Sequence, residues 1–114
     1  MKIDNYTFGS IIVDNEIYNS DLILFPNKVL TNWCRENGHL LLIKDLKEII
    51  KYKPDVLIVG TGADGVMEIA SETKKELEKL KITLIEAKSA AACNIFNDRM
   101  EKGENAVGAF HLTC

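Results

Sequence analysis

At 114 residues the chain is one domain's worth of material, too short for a six-strand dinucleotide fold with a substrate domain beside it. Its 46% hydrophobic and 27% charged residues suffice for one buried core. The net charge of -3 is evenly spread, with seven basic and eight acidic residues up to Leu57 and seven against nine after it, so no basic patch suits a nucleic acid or an anionic membrane surface.

The first residues, from Met1 to Asn5, lack the apolar core of a signal peptide, and no stretch reaches the roughly eighteen apolar residues of a membrane span. Cys34, Cys93 and Cys114 are an odd number without short-spaced pairs, which suits free thiols in the cytoplasm. One domain over residues 1–114 is expected.

In chain order, residues 3–8, 11–13, 16–18 and 21–25 are rich in β-branched and aromatic side chains and are separated by Gly9-Ser10, Asp14-Asn15 and Asn19-Ser20. They predict a small antiparallel β layer. Residues 28–39 are less regular, hold the single Trp33 and end at Gly38-His39, before the apolar triplet 40–42. Behind Asp45 as N-cap, Leu46, Ile49 and Ile50 fall at helical spacing until Pro54 stops the segment.

Residues 56–59 predict a buried strand, 71–80 a charged helix with Leu77 and Leu80 turned inward, and 82–85 a second buried strand. Ser89 caps a helix reaching about Lys102, with Ala92, Ile95, Phe96 and Met100 as its apolar stripe and Gly103 behind it. Residues 107–112 form a last strand. Two β-α-β steps imply an α/β fold, bordering on α+β, with a mixed central sheet covered by helices and right-handed crossovers.

The run from Val56 to Gly65 ends in Gly60, Gly62 and Gly65, a letter-for-letter match to the dinucleotide fingerprint. Its context argues against a Rossmann fold. A helix must begin within those glycines to aim its N-terminus at the pyrophosphate, whereas residues 66–70 read as extended chain and the next caps are Ser71 or Thr73. Glu86 stands where a ribose-binding acid would, but no nicotinamide or flavin cofactor is expected. What remains is a nest of amides over residues 61–65 that could hold a small anion.

Lys88 falls at the same sheet end as that loop. Asn97 lies beside the apolar stripe, where its amide serves either a loop carbonyl or a pocket. A ligand cleft is therefore expected around Gly60, Thr61, Gly62, Asp64, Lys88 and Asn97. His111 and Cys114 resemble half of a metal site, with His39, Cys34 and Cys93 as distant candidates, yet no paired ligand spacing supports a metal. Cys93 in the first turn of a helix could serve as a nucleophile; burial is the alternative.

Several of these positions together resemble a known family: Phe8-Gly9, Asp21 before an apolar strand, Trp33 with Gly38-His39, Val59-Gly60-Thr61-Gly62, the helix with Ser89, Ala92, Phe96 and Asn97, and the closing His-Leu-Thr-Cys at 111–114. The chain is similar, over nearly its whole length, to the adipogenesis-associated single-domain family, whose relatives include the mitochondrial complex I assembly factor 3. The resemblance implies a three-layer β+β/α fold, action through protein contacts in assembly or regulation, no established catalysis, and a cleft lined by residues 60–62 with Asn97. That family usually carries threonine where this chain has Ser89 and tyrosine where it has Phe96, which removes any role for a tyrosine hydroxyl here.

Three functions follow as expectations. The first is a non-enzymatic binding or assembly module with a protein partner. The second is a small-molecule or anion-binding domain using residues 60–65. The third is a small NAD/FAD-type or cysteine-dependent enzyme using Cys93, Asp64 or Glu86. A second copy of the chain could also pair through a free strand edge.

Overall fold

A computed structural model describes residues 1–114. Ten strands and three helices follow the apolar pattern of the chain. A five-stranded sheet forms the middle layer in the order β5-β4-β10-β7-β9, built from Leu22–Phe25 (β4), Lys28–Leu30 (β5), Val56–Thr61 (β7), Thr83–Ala87 (β9) and Ala106–His111 (β10). Strands β7, β9 and β10 run parallel, and β4 runs antiparallel to β10.

Both faces of this sheet are covered, so β4, β7 and β10 are buried at every position. Continuous apolar runs are what a doubly covered sheet requires. Side chains still alternate: Leu57, Val59, Val107, Ala109, Ile23 and Phe25 enter one core, while Val56, Ile58, Ala106, Phe110, Leu22 and Leu24 enter the other. Each fully buried aliphatic or aromatic side chain contributes about 1.5–3 kcal/mol by its removal from water.

The first core is closed by a 3-10 turn at Ile43–Leu46, by Lys47–Tyr52 (α1) and by Ser71–Lys79 (α2), through Leu46, Ile49 and Leu77. A two-stranded parallel pair, Leu40–Leu41 (β6) with Glu68–Ile69 (β8), adds Leu41 and Ile69 to it. Ser89–Glu101 (α3) closes the second core with Ala92, Cys93 and Phe96. Beside it lies a separate antiparallel sheet of Ile3–Thr7 (β1), Ser10–Val13 (β2) and Glu16–Tyr18 (β3). Phe96 meets Phe110 edge to face, with ring centroids 5.9 Å apart.

The layering has a topological cause. From β7 the chain crosses through α2 to β9 on one side, then returns through α3 to β10 on the other side of β7. Right-handed crossovers in opposite directions put α2 and α3 on opposite faces.

This is the expected α/β fold with a mixed central sheet and a small N-terminal β layer, and it differs from the sequence reading in detail: residues 22–25, expected in the small layer, pair with β10 inside the central sheet, and β9, expected as a buried strand, is an edge with no fully buried position. Residues 28–30 are not irregular but form β5, an edge strand whose existence depends on pairing with β4. Leu80 is exposed rather than inward-facing, because α2 ends at Lys79 and the chain leaves the core there. Neither Ser71 nor Thr73 caps α2: the N-cap is Ala70, and the buried Thr73 hydroxyl instead donates to the Leu41 carbonyl at 3.0 Å. Asp45 lies inside the 3-10 turn and accepts from the amides of Leu42 and Glu36.

Candidate functional site

The carboxyl ends of β7, β9 and β10 and the start of β4 meet at one end of the sheet, because β10 pairs parallel to β7 and antiparallel to β4. Open α/β sheets gather ligands at this end. The expected Gly60, Thr61, Gly62, Asp64 and Lys88 are all found here.

The glycine loop is closed by the chain itself. The Gly62 amide donates to Ser89 Oγ at 2.9 Å, Ala63 to the Thr113 carbonyl at 2.9 Å, Gly65 to the Gly62 carbonyl at 3.3 Å, and Asp64 and Val66 to the backbone oxygen of Cys114 at 3.3 and 3.1 Å. The expected anion nest over residues 61–65 is therefore corrected: its donors are spent on residues 62, 89, 113 and 114. No helix begins within the glycines; Glu68–Ile69 follows them as β8, and α2 starts at Ser71, as the rejection of the dinucleotide motif required.

Gly62 has φ +108°, and a Cβ there would lie 2.3 Å from the carbonyl carbon of Cys114. Only glycine lets residues 113–114 lie this close. A Cβ on Gly60 would meet Phe110 and Ser89 Oγ at 2.8 Å, so this glycine allows α3 to start directly above β7.

Ser89 is not an N-cap; that position is Lys88. Its buried hydroxyl donates to the His111 carbonyl at 2.5 Å while accepting from Gly62, and its own amide donates to the Gly62 carbonyl at 3.0 Å. One side chain thus joins β7, β10 and α3. Thr61 Oγ1 donates to the Ala87 carbonyl at 3.1 Å and ties β7 to β9. Asp64 and Lys88 are exposed, and a Cβ on Gly65 would stand 3.2 Å from Lys88 Cγ, so the lysine stem lies across the loop.

Asn97 is not part of this end. Its amide nitrogen donates to the Ile3 carbonyl and its oxygen accepts from the Ile3 amide, both at 2.8 Å. It clamps β1 to α3 and borders a shallow groove of about 180 Å³ between them, apart from residues 60–65. A single cleft joining Asn97 to the glycine loop is thus corrected to two separate places.

The residues weighed for catalysis and metal binding are also dispersed. Cys93 is buried in the second core, and burial pushes its thiol up to about 12, which removes the thiolate a nucleophile needs. Glu86 pairs with Lys74 at 3.0 Å on the surface. His111 turns inward whereas Cys114, Cys34 and His39 are exposed.

What local reading missed is a buried ionic cluster. Arg35, with its side chain 5% exposed, places Nη2 2.9 Å from Asp21 Oδ2; His111 Nδ1 lies 2.8 Å from the same oxygen, and the Leu112 amide donates to Asp21 Oδ1 at 2.8 Å. The Arg35 guanidinium is stacked over Trp33, 4.7 Å from the ring centre. Burial pushes the Asp21 carboxyl up, but the bonds from His111, Leu112 and Arg35 outweigh it and hold the group below the ordinary carboxylate value. Arg35 Nε and Nη1 and His111 Nε2 have no partner.

Asp21, Trp33 and His111 stood in the sequence as positions of the family resemblance, and Arg35, 14 residues from Asp21 and 76 from His111, carried no signal.

Solved structures share this fold. A conserved hypothetical protein from Pyrococcus horikoshii is 24% identical over 100% of both chains, with a TM-score of 0.83. A protein described as an outer membrane protein from Bartonella henselae is 18% identical over 98% of this chain and 94% of its own, with a TM-score of 0.84. A Bordetella pertussis protein described as a Mth938-like domain is 17% identical over 97% and 85%, with a TM-score of 0.78. In this chain no helix is long and apolar enough to cross a membrane. Residues 3–111 match the model of the protein family of unknown function DUF498/DUF598, consistent with the resemblance drawn from the sequence, and the chain belongs to that family.

Proposed function

We propose that the protein is a non-enzymatic binding module that takes an extended segment of a partner protein along the outer edge of β9. The observation that carries this reading is the free backbone of that strand. The Thr83 amide donates to the Asp55 carbonyl on the β7 side, and β9 is the last strand of its sheet. Successive residues of a strand point their backbone groups to opposite sides, so the N–H and C=O of Leu84 and Glu86 face outward.

Between β9 and α2 runs an open groove of about 570 Å³, bordered by Lys74, Glu78, Lys81, Leu84 and Glu86. An added strand would gain main-chain hydrogen bonds from Leu84 and Glu86, and the alternating charges of the groove would select its side chains. A second copy of this chain is one occupant such an edge accepts. Three free thiols, two of them exposed, suit a reducing compartment such as the cytoplasm.

Leu84→Pro tests the reading, because proline removes an outward N–H without breaking a bond to β7. A partner or second copy retained by the wild-type chain and lost by a folded Leu84→Pro variant, by native mass spectrometry and quantitative pull-down, is expected. A monomer without partners, or binding indifferent to the proline, would overturn it.

A further inference from the structure

We propose that the buried cluster of Asp21, Arg35 and His111 is a binding site for a small oxyanion, a carboxylate or a phosphate, held by guanidinium and imidazole nitrogens. This site is independent of the β9 edge.

Proton placement follows from the acceptor. Arg35 Nη2 and His111 Nδ1 both lie within 2.9 Å of Asp21 Oδ2, an acceptor, so each donates to it and Nδ1 carries its hydrogen. The 3.1 Å separation of Nη2 from Nδ1 is then a contact between two donors. His111 Nε2 is left with a lone pair when the ring is neutral and an N–H when it is protonated.

Asp21 Oδ2 is filled by these two donors, and its other oxygen takes the Leu112 amide. Only one guanidinium nitrogen is bonded. The Nε–H and both hydrogens of Nη1 stay without an acceptor on a side chain 5% exposed, and His111 Nε2 is unpartnered on a side chain 9% exposed. Buried polar atoms are normally paired, and three orphans in one cluster mark a place for another group. Trp33 covers a face of the guanidinium, which leaves its in-plane N–H groups directed sideways.

The complement of such a set carries several acceptor oxygens on one centre. Carboxylates and phosphates meet this description. Nε2 fits either state of the ligand, accepting from a protonated oxygen or donating to an ionised one.

Entry is through residues 34–39. This segment carries Arg35, has no strand or helix of its own, exposes Cys34, Glu36, Asn37 and His39, and is held at Glu36 by a 3.2 Å bond to Asp45 and an exposed pair with Lys44, and at His39 by its carbonyl, which accepts from the Glu68 amide at 2.8 Å. Such a segment opens locally without unfolding the sheet.

The chain has only two arginines, Arg35 and Arg99, and only two histidines, His39 and His111, so side-chain nitrogen NMR resolves the site in the full chain. Sodium acetate and inorganic phosphate are titrated separately against chloride at matched ionic strength. A saturable shift of Arg35 Nε and the His111 ring, with Arg99 and His39 unmoved, is expected. Solvent exchange of the Arg35 Nε–H should slow about tenfold when the anion stands at ten times its Kd.

A response to acetate alone assigns a carboxylate, to phosphate alone a phosphate, and to both a general oxyanion site. Arg35→Lys keeps the charge but loses the planar donors, and the folded variant should lose the response. The proposal is overturned if neither anion moves Arg35 and His111 beyond chloride, or if folded Arg35→Lys responds like the wild type. Should that variant fail to fold, the wild-type titration alone decides.

Discussion

The carboxyl end of β7 and β10 and the outer edge of β9 belong to one sheet, yet they use their polar groups in opposite ways. At the carboxyl end the amides of residues 62–66 and the hydroxyl of Ser89 are matched to the chain's own oxygens, and residues far apart in sequence are joined. Along β9 the backbone of Leu84 and Glu86 faces outward, and the nearby charges, such as Lys74 with Glu86, pair on the surface. Substitution at the first place should act through stability, and at the second through association.

The largest effect is expected from Asp21→Ala, which strands the buried Arg35 charge; urea unfolding should show a loss of about 3–5 kcal/mol. Gly62→Ala combines a φ of +108° with a clash against Cys114 and should cost about 3 kcal/mol in the same assay. Ser89→Ala leaves the Gly62 amide and the His111 carbonyl without their shared hydroxyl, for a loss of about 2 kcal/mol by calorimetry.

Acid sharpens the contrast. Because the folded Asp21 carboxyl is held below its ordinary value, the stability it supplies is complete above the ordinary carboxylate pKa and is lost as pH falls through the lower folded value. Unfolding followed from neutral pH downward should show this loss in the wild type and a flatter profile in Asp21→Asn. The smallest effect is expected from Glu86→Ala, since an exposed pair such as Lys74 with Glu86 contributes under about 0.5 kcal/mol. A loss above about 2 kcal/mol there would break the division between the closed end and the open edge.

Legibility in the sequence follows the same line. Strands β4, β7 and β10 were readable as strands because burial on both sheet faces writes continuous apolar runs, although the partner of β4 was not, and α3 because burial on one helix face writes a stripe; α2 was readable as a helix, but it buries Thr73 and Leu77 rather than Leu77 and Leu80. Strand β5 was not, since Lys28-Val29-Leu30 has no period of its own and is defined by pairing with β4. The glycine loop was placed at the right end of the sheet, but its closure by Thr113 and Cys114 is a long-range fact that no local pattern encodes. Asp21, Trp33 and His111 stood among the positions of the family resemblance. Arg35 did not, because one arginine in a loop carries no periodicity, and its partners lie 14 and 76 residues away.

One feature of the topology bears on how the molecule is made. Strand β10, residues 106–111, is the seam between β4 from the first quarter of the chain and β7 from its middle. During synthesis β4, β5, β7 and β9 all leave the ribosome as halves of a sheet with no strand to join them, their apolar faces awaiting a late arrival. Such non-local closure is slow, and the apolar faces of the two halves stay exposed until residues 106–111 arrive.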